Sequence, residues 1–69
     1  MSYETILYSF EYFYHMDKAN AAIHCSPVKF SPIVFRLAEA LQEQAPGLKS
    51  AALAEVKMHI DKYEMDMGR

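Results

Sequence analysis

Cysteine and glycine are nearly absent from this sequence, and their scarcity excludes several kinds of small protein. Cys25 is the one cysteine, so no disulfide can form within the chain. The histidines do not cluster with it in the way that the ligands of a structural zinc ion do. Gly47 and Gly68 are the only glycines, and neither belongs to a phosphate-binding loop or a nucleophile elbow. The sequence therefore predicts no disulfide scaffold, no bound metal or other cofactor, and no catalytic site.

The chain also lacks a strong excess of charge and a long apolar run. Its formal net charge of −2 gives no general attraction to nucleic acid or to anionic lipid. No apolar run approaches the roughly 20 residues of a transmembrane helix. The first ten residues lack the basic start of a secretory signal. We therefore expect a protein of the reducing cytoplasm that makes no contact with membranes.

What the chain has in quantity is apolar surface, with 52% hydrophobic and 13% aromatic residues. Residues 1–69 are enough for a single small domain. The core of a chain below roughly 70–80 residues rarely contributes more than about 3–5 kcal/mol to stability. Without a disulfide or a metal, a partner is the remaining source of stabilisation. We therefore expect a homodimer.

The densest aromatic segment covers residues 5–14 and reads TILYSFEYFY, which is typical of a β-strand. One face of that strand would be mostly apolar and would carry Ile6, Tyr8, Phe10, Tyr12 and Tyr14. A helix is the alternative, because short apolar runs are ambiguous. It would align Phe10 with Phe13 and leave two tyrosines outside that line. The pattern favours the strand.

Residues 15–30 fit two arrangements. In the first, residues 15–20 form a polar turn and residues 21–30 a second strand, which Pro27 would confine to a sheet edge. In the second, Asp17 caps a short helix over residues 18–25. The inward side chains of that helix would be Ala19, Ala22 and Ile23. In either arrangement we interpret Cys25 as a small buried apolar group.

Two helices follow with clearer signals. Ser31-Pro32 is typical of an N-cap followed by the first helical residue, and Pro46-Gly47 ends the helix over residues 32–45. Its predicted inward residues are Ile33, Val34, Leu37, Ala38 and Leu41. Phe35 falls between the two faces. A last helix begins near Gly47 or Ser50 and ends near Met67. It packs antiparallel to the helix over residues 32–45.

The last helix is apolar on two sides. Its main seam is formed by Leu53, Val56, Ile60, Tyr63 and Met67. A second stripe, roughly opposite, is formed by Ala51, Ala54, Met58 and Met65. We interpret the first as the side that faces the chain's own core. The second contacts a sheet or the same helix of a second copy, and simple exposure to water is the alternative. The predicted fold class is α+β, with an N-terminal aromatic strand or hairpin packed on a C-terminal antiparallel helical hairpin. An all-α three-helix fold is the alternative.

From Val28 onward the predicted order is short strand, helix, glycine-containing turn and helix, and the last helix opens with GLKSAALAEV. This order resembles the ribbon-helix-helix family of dimeric DNA-binding regulators. The resemblance implies that Val28-Lys29-Phe30 forms a strand that reads the major groove. Lys29 is the basic residue in that segment.

The sequence taken together predicts a small non-catalytic protein–protein interaction module, a homodimeric regulator or adaptor that also binds another protein. Tyrosine and methionine are enriched at protein interfaces. The predicted contact residues are Tyr8, Tyr12, Tyr14, Phe35, Met58 and Met65. The first alternative is a ribbon-helix-helix-like DNA-binding regulator. The second is a small metal-binding protein that uses histidine and methionine ligands.

Overall fold

The computed structural model describes residues 2–67, with side chains described for residues 2–60. It contains the helices α1 (Tyr3–Ile23), α2 (Pro32–Gln44) and α3 (Ala51–Met67), and α2 packs against both of the others. Residues 2–67 form no β-strand. In this part of the chain no helix has the length and apolar character needed to cross a bilayer. The predicted α+β fold is therefore wrong, and the all-α three-helix alternative fits the structure.

Helix α1 replaces the predicted strand over residues 5–14 and the predicted turn over residues 15–20. The hydroxyl of Ser2 caps its start by accepting a hydrogen bond from the Thr5 N–H at 3.2 Å. No proline or glycine interrupts the 21 residues that follow. The buried side chains are Ile6, Phe10, Tyr14 and Ala21. These lie on one side of a helix, whereas the strand interpretation placed Tyr8 and Tyr12 among them.

Helix α1 ends in a Schellman motif built on Cys25, which has a positive φ of 49°. The Cys25 N–H donates to the Ala22 carbonyl at 3.2 Å, and the Ser26 N–H donates to the Ala21 carbonyl at 2.9 Å. The side chain of Cys25 is exposed, so the predicted burial of this residue is wrong. Residues 18–23 are helical, as the second arrangement predicted, so the alternative strand over residues 21–30 is wrong. These residues continue α1 without a cap at Asp17, and the three predicted inward residues are exposed.

Helices α2 and α3 lie close to their predicted positions. In α2 the buried residues are Val34, Leu37, Ala38 and Leu41, whereas Ile33, predicted to face inward, is 43% exposed. Helix α3 starts after Ser50, whose hydroxyl accepts a hydrogen bond from the Leu53 N–H at 3.2 Å. On its main seam Leu53 and Val56 are buried and Ile60 is half-buried. The side chains of the remaining seam residues, Tyr63 and Met67, lie outside the described range.

The core is closed by Phe30, which belongs to the irregular segment between α1 and α2. Its ring stacks on Tyr14 of α1 with centroids 5.5 Å apart. It meets Phe35 of α2 edge-on at 6.5 Å and His59 of α3 edge-on at 4.9 Å. The strand that the ribbon-helix-helix resemblance implies for Val28-Lys29-Phe30 is therefore not formed here, and its last residue is buried.

Asp17 of α1 fixes the start of α2. Its Oδ2 atom accepts one hydrogen bond from the Ser31 N–H at 2.9 Å and another from the Ser31 hydroxyl at 3.1 Å. Ser31 is the N-cap residue of α2, as predicted, but its hydroxyl is used for Asp17 and not for capping. A carboxylate beside a helix N-terminus also opposes the partial positive charge there. The carboxylate of Asp17 therefore joins α1 to the first turn of α2.

Replacing Asp17 tests this connection. We expect Asp17→Ala to lower the free energy of unfolding by about 1–3 kcal/mol, because a half-buried N–H and a hydroxyl both lose a charged acceptor. Asp17→Asn retains one acceptor oxygen and should cost less. Urea denaturation followed by circular dichroism measures both. Glu39→Ala, at an exposed position on α2, is the matched control. An Asp17→Ala variant as stable as this control would contradict the connection.

Candidate functional site

The side of α1 that faces away from the core is apolar and exposed. Alternating steps of three and four residues along the helix define a row of exposed positions, namely Thr5, Tyr8, Tyr12, His15, Ala19 and Ala22. Met16 and Ile23 flank this row and are also exposed. We call these residues together the outer face. At 100° per residue the outer face lies opposite the buried side chains of α1, so this helix is apolar on both sides.

Three large side chains of the outer face are more than half exposed. Tyr8 is 74% exposed, Tyr12 is 54% exposed and Ile23 is 73% exposed. Tyr8, Tyr12 and Met16 line a shallow groove together with Glu11 and His15. Large apolar side chains that are exposed together, and not singly, mark a surface for binding.

Two rings of the groove are held by contacts with the inner part of α1. The Tyr12 ring meets Phe13 edge-on, with centroids 5.2 Å apart, and Phe13 packs against the core. The His15 ring meets the buried Tyr14 edge-on at 5.0 Å. These contacts limit the freedom of both side chains, so less conformational entropy is lost when a partner binds.

The structure separates the three tyrosines that the sequence assigned to a contact surface. Tyr8 and Tyr12 lie together on the outer face. Tyr14 is only 7% exposed and belongs to the core, where its ring stacks between Phe10 and Phe30 at centroid distances of 6.0 and 5.5 Å. Its buried ring is therefore not available to a partner.

The hydroxyl of Tyr14 belongs to a polar cluster that connects α1 to α3. It donates a hydrogen bond to Glu55 Oε1 at 2.5 Å. The ammonium group of Lys18 donates to the same oxygen at 3.1 Å and lies 5.4 Å from the centroid of the Tyr14 ring. The charged partners are 41% and 32% exposed in their side chains, so solvent screens this ion pair in part. The cluster acts as a link between helices.

Shared hydrogen bonds shift the pKa values of all three groups. The bond from Tyr14, followed by that from Lys18, lowers the pKa of Glu55 below its ordinary 4.5, although partial burial opposes this. The bond to Glu55, followed by burial, raises the pKa of Tyr14 above 10.0. The bond to Glu55 is also the main cause that raises the pKa of Lys18 above 10.5. The cluster thus favours a charged carboxylate, a neutral phenol and a charged ammonium group at neutral pH.

The other predicted contact residues lie on α2 and α3. Phe35 is half-buried, with its ring edge against Phe30, so it meets the same ring as Tyr14. Met58 is 71% exposed, and Ala51 and Ala54 beside it on the second stripe of α3 are exposed too. Met65 falls outside the range of described side chains. The second stripe is thus exposed to solvent at each position whose side chain is described.

Sequence reasoning missed part of the outer face. His15 and Met16 were placed in a turn, and Ile23 was placed on the inward side of a short helix. The spacing of the row from Thr5 to Ala22 continues through the supposed turn and could have located His15. Met16 and Ile23 would then have followed as its neighbours on the helix. Among the described residues, no group of three or more His, Cys, Asp or Glu side chains is arranged to hold a metal ion.

Stability at acid pH tests the polar cluster. The folded-state pKa of Glu55 lies below its unfolded value, so its contribution is present above pH 4.5 and is lost as the pH falls through the folded pKa. We expect Glu55→Gln to cost about 1 kcal/mol at neutral pH and to reduce the loss of stability on acidification. Urea denaturation across this pH range measures both effects.

The control for this experiment is Glu43→Gln, which removes an exposed carboxyl group from α2. It should follow the pH profile of the unmodified protein. Identical pH profiles for the two variants would contradict the role given to Glu55.

No protein-family model, characterised protein or solved structure matches this chain.

Proposed function

We propose that this protein is a small non-catalytic protein-interaction module whose binding surface is the outer face of α1. The observation that carries the proposal is the exposure of Tyr8 and Tyr12, at 74% and 54%, on a helix whose other side already fills the core. Tyrosine suits such a surface because its ring supplies contact area while its hydroxyl remains compatible with water. Methionine, here Met16, adapts to irregular partner surfaces.

The shape of the outer face indicates what kind of partner it takes. Helix α1 is unbroken over 21 residues, which makes it about 31 Å long. Its row of exposed positions advances by three and four residues, the spacing at which one helix packs against another. The partner of this surface is therefore an amphipathic helix with an apolar stripe of its own.

A module of this kind acts by holding another chain, as a regulator or an adaptor does. The second stripe of α3, with Met58 exposed beside Ala51 and Ala54, provides an additional apolar surface on a different helix. Two such surfaces allow the protein to bind one partner through α1 and another through α3.

Sedimentation in a native lysate tests the interaction. Fluorescently labelled protein is followed in lysate by sedimentation velocity, which detects a complex whatever the identity of the partner. We expect the unmodified chain to sediment faster than a 7.9 kDa monomer and Tyr12→Glu to sediment as that monomer. The reason is that a carboxylate at the centre of the groove would have to lose its hydration on binding.

Asn20→Glu is the control for that experiment, because it adds a carboxylate at an exposed position of α1 outside the outer face. It should sediment like the unmodified chain, and circular dichroism should show that both variants are folded. Sedimentation of the unmodified chain as a free monomer would contradict the proposal. So would a Tyr12→Glu variant that stays in the complex.

A further inference from the structure

We infer that the partner of the outer face is a second copy of this chain, with the two α1 helices packed antiparallel about a two-fold axis. This inference rests on the proposed function, since it uses the same surface, and it names the occupant. The row from Thr5 to Ala22 falls on the first and fourth positions of a seven-residue repeat. Helices pair along an apolar seam at these positions. The large and small residues along this row determine how two copies fit.

The two tyrosines lie in the first half of the row, and the two alanines lie in the second half. In an antiparallel pair that overlaps over the whole of α1, Tyr8 lies opposite Ala19 of the second copy and Thr5 lies opposite Ala22. At the centre Tyr12 lies opposite His15, which places two aromatic rings in contact. The two-fold axis repeats each pair once. Each tyrosine of the row thus meets a small side chain or a ring, and the row is complementary to itself.

A parallel pair fits poorly by the same criterion. Tyr8 would face Tyr8 of the second copy, and Ala19 would face Ala19, so rings would crowd at one end and a gap would form at the other. Parallel helices also place like ends of their dipoles together, whereas antiparallel helices place opposite ends together. The distribution of side-chain size along α1 therefore selects the antiparallel arrangement.

The charged residues beside the row also favour the antiparallel pair. Glu11 and Lys18 lie seven residues apart on one side of the row. In the antiparallel pair this side of one helix runs beside the same side of the other, so Glu11 of each copy comes near Lys18 of the other. Lys18 already donates to Glu55, but an ammonium group has three donors and its side chain is 41% exposed. Two symmetric ion pairs would then border the seam.

The area available matches a modest dimer. At about 200 Å² for a large side chain, the exposed parts of Tyr8, Tyr12, Met16 and Ile23 amount to roughly 500 Å². The exposed Glu11, His15, Ala19 and Ala22 extend this surface. With them, the exposed surface approaches the range of about 600–1,000 Å² per partner that specific interfaces bury.

Sedimentation equilibrium of the purified chain, from about 1 to 200 µM, tests the dimer. The unmodified protein should pass from monomer to dimer in this range. Ala19→Glu places a charge opposite Tyr8 and should weaken dimerisation by at least about tenfold. Asn20→Glu, one residue away and outside the outer face, should leave dimerisation unchanged. A monomer at all concentrations, or a dimer that Ala19→Glu does not weaken, would overturn the inference.

Cross-linking tests the direction of the helices. Thr5→Cys and Ala22→Cys are made in separate chains, both carrying Cys25→Ser, so that the tyrosines stay intact. Oxidation of the mixture should link Thr5→Cys chains to Ala22→Cys chains, because these positions face each other only in the antiparallel pair. Each variant alone should remain uncross-linked. Cross-linking of either variant with itself would show parallel pairing and overturn the inference.

The two proposals fail in different ways. A purified chain that stays monomeric, but sediments in lysate as a complex lost in Tyr12→Glu, would overturn the second copy and leave the interaction surface standing. A chain that is monomeric both when purified and in lysate would overturn both proposals.

Discussion

The ring of Phe30 touches all three helices, although Phe30 belongs to none of them. It stacks on Tyr14 of α1 and meets Phe35 of α2 and His59 of α3 edge-on. The residue that follows it, Ser31, is bonded through its N–H and its hydroxyl to Asp17 of α1. A single non-helical stretch thus positions each helix against the others. In a chain with no internal disulfide, this aromatic junction and its polar neighbours hold the bundle together.

The junction also fixes the rotation of α1 about its own axis. Tyr14 is held on its ring by Phe10 and Phe30 and at its hydroxyl by Glu55, and Asp17 is held one turn further on. Because the inner side of α1 is held in this way, the side chains of Tyr8 and Tyr12 point away from the core. Their exposure follows from the packing of residues that lie opposite them. The position of the outer face is therefore set by the packing of the core.

How much of this could be predicted from sequence differs between the two halves of the chain. Helices α2 and α3 have clear start residues, their main apolar stripes face the core, and both lie close to their predicted bounds. Helix α1 carries two apolar rows. Its inner row, Ile6 and Phe10, and its outer row, Tyr8 and Tyr12, interleave at steps of two residues, which imitates the alternation of a β-strand.

The candidate site could be predicted only in part, again because the two apolar rows of α1 imitate a strand. Tyr8, Tyr12 and Met58 were selected as contact residues from their chemistry, and all three are exposed. Tyr14 has the same chemistry but is buried, because only the helical period distinguishes it from its neighbours. The polar cluster could not be predicted from the sequence, because Lys18 and Glu55 are far apart in the chain and meet only through the packing of α1 and α3.

The left-handed backbone at Cys25 has a consequence for the chemistry of the chain. A lone cysteine in a small protein is usually packed inside, where its thiol is inert. Here the turn that ends α1 directs the side chain into water. The thiol is consequently open to oxidants and alkylating reagents in the folded state, without any need for the protein to unfold.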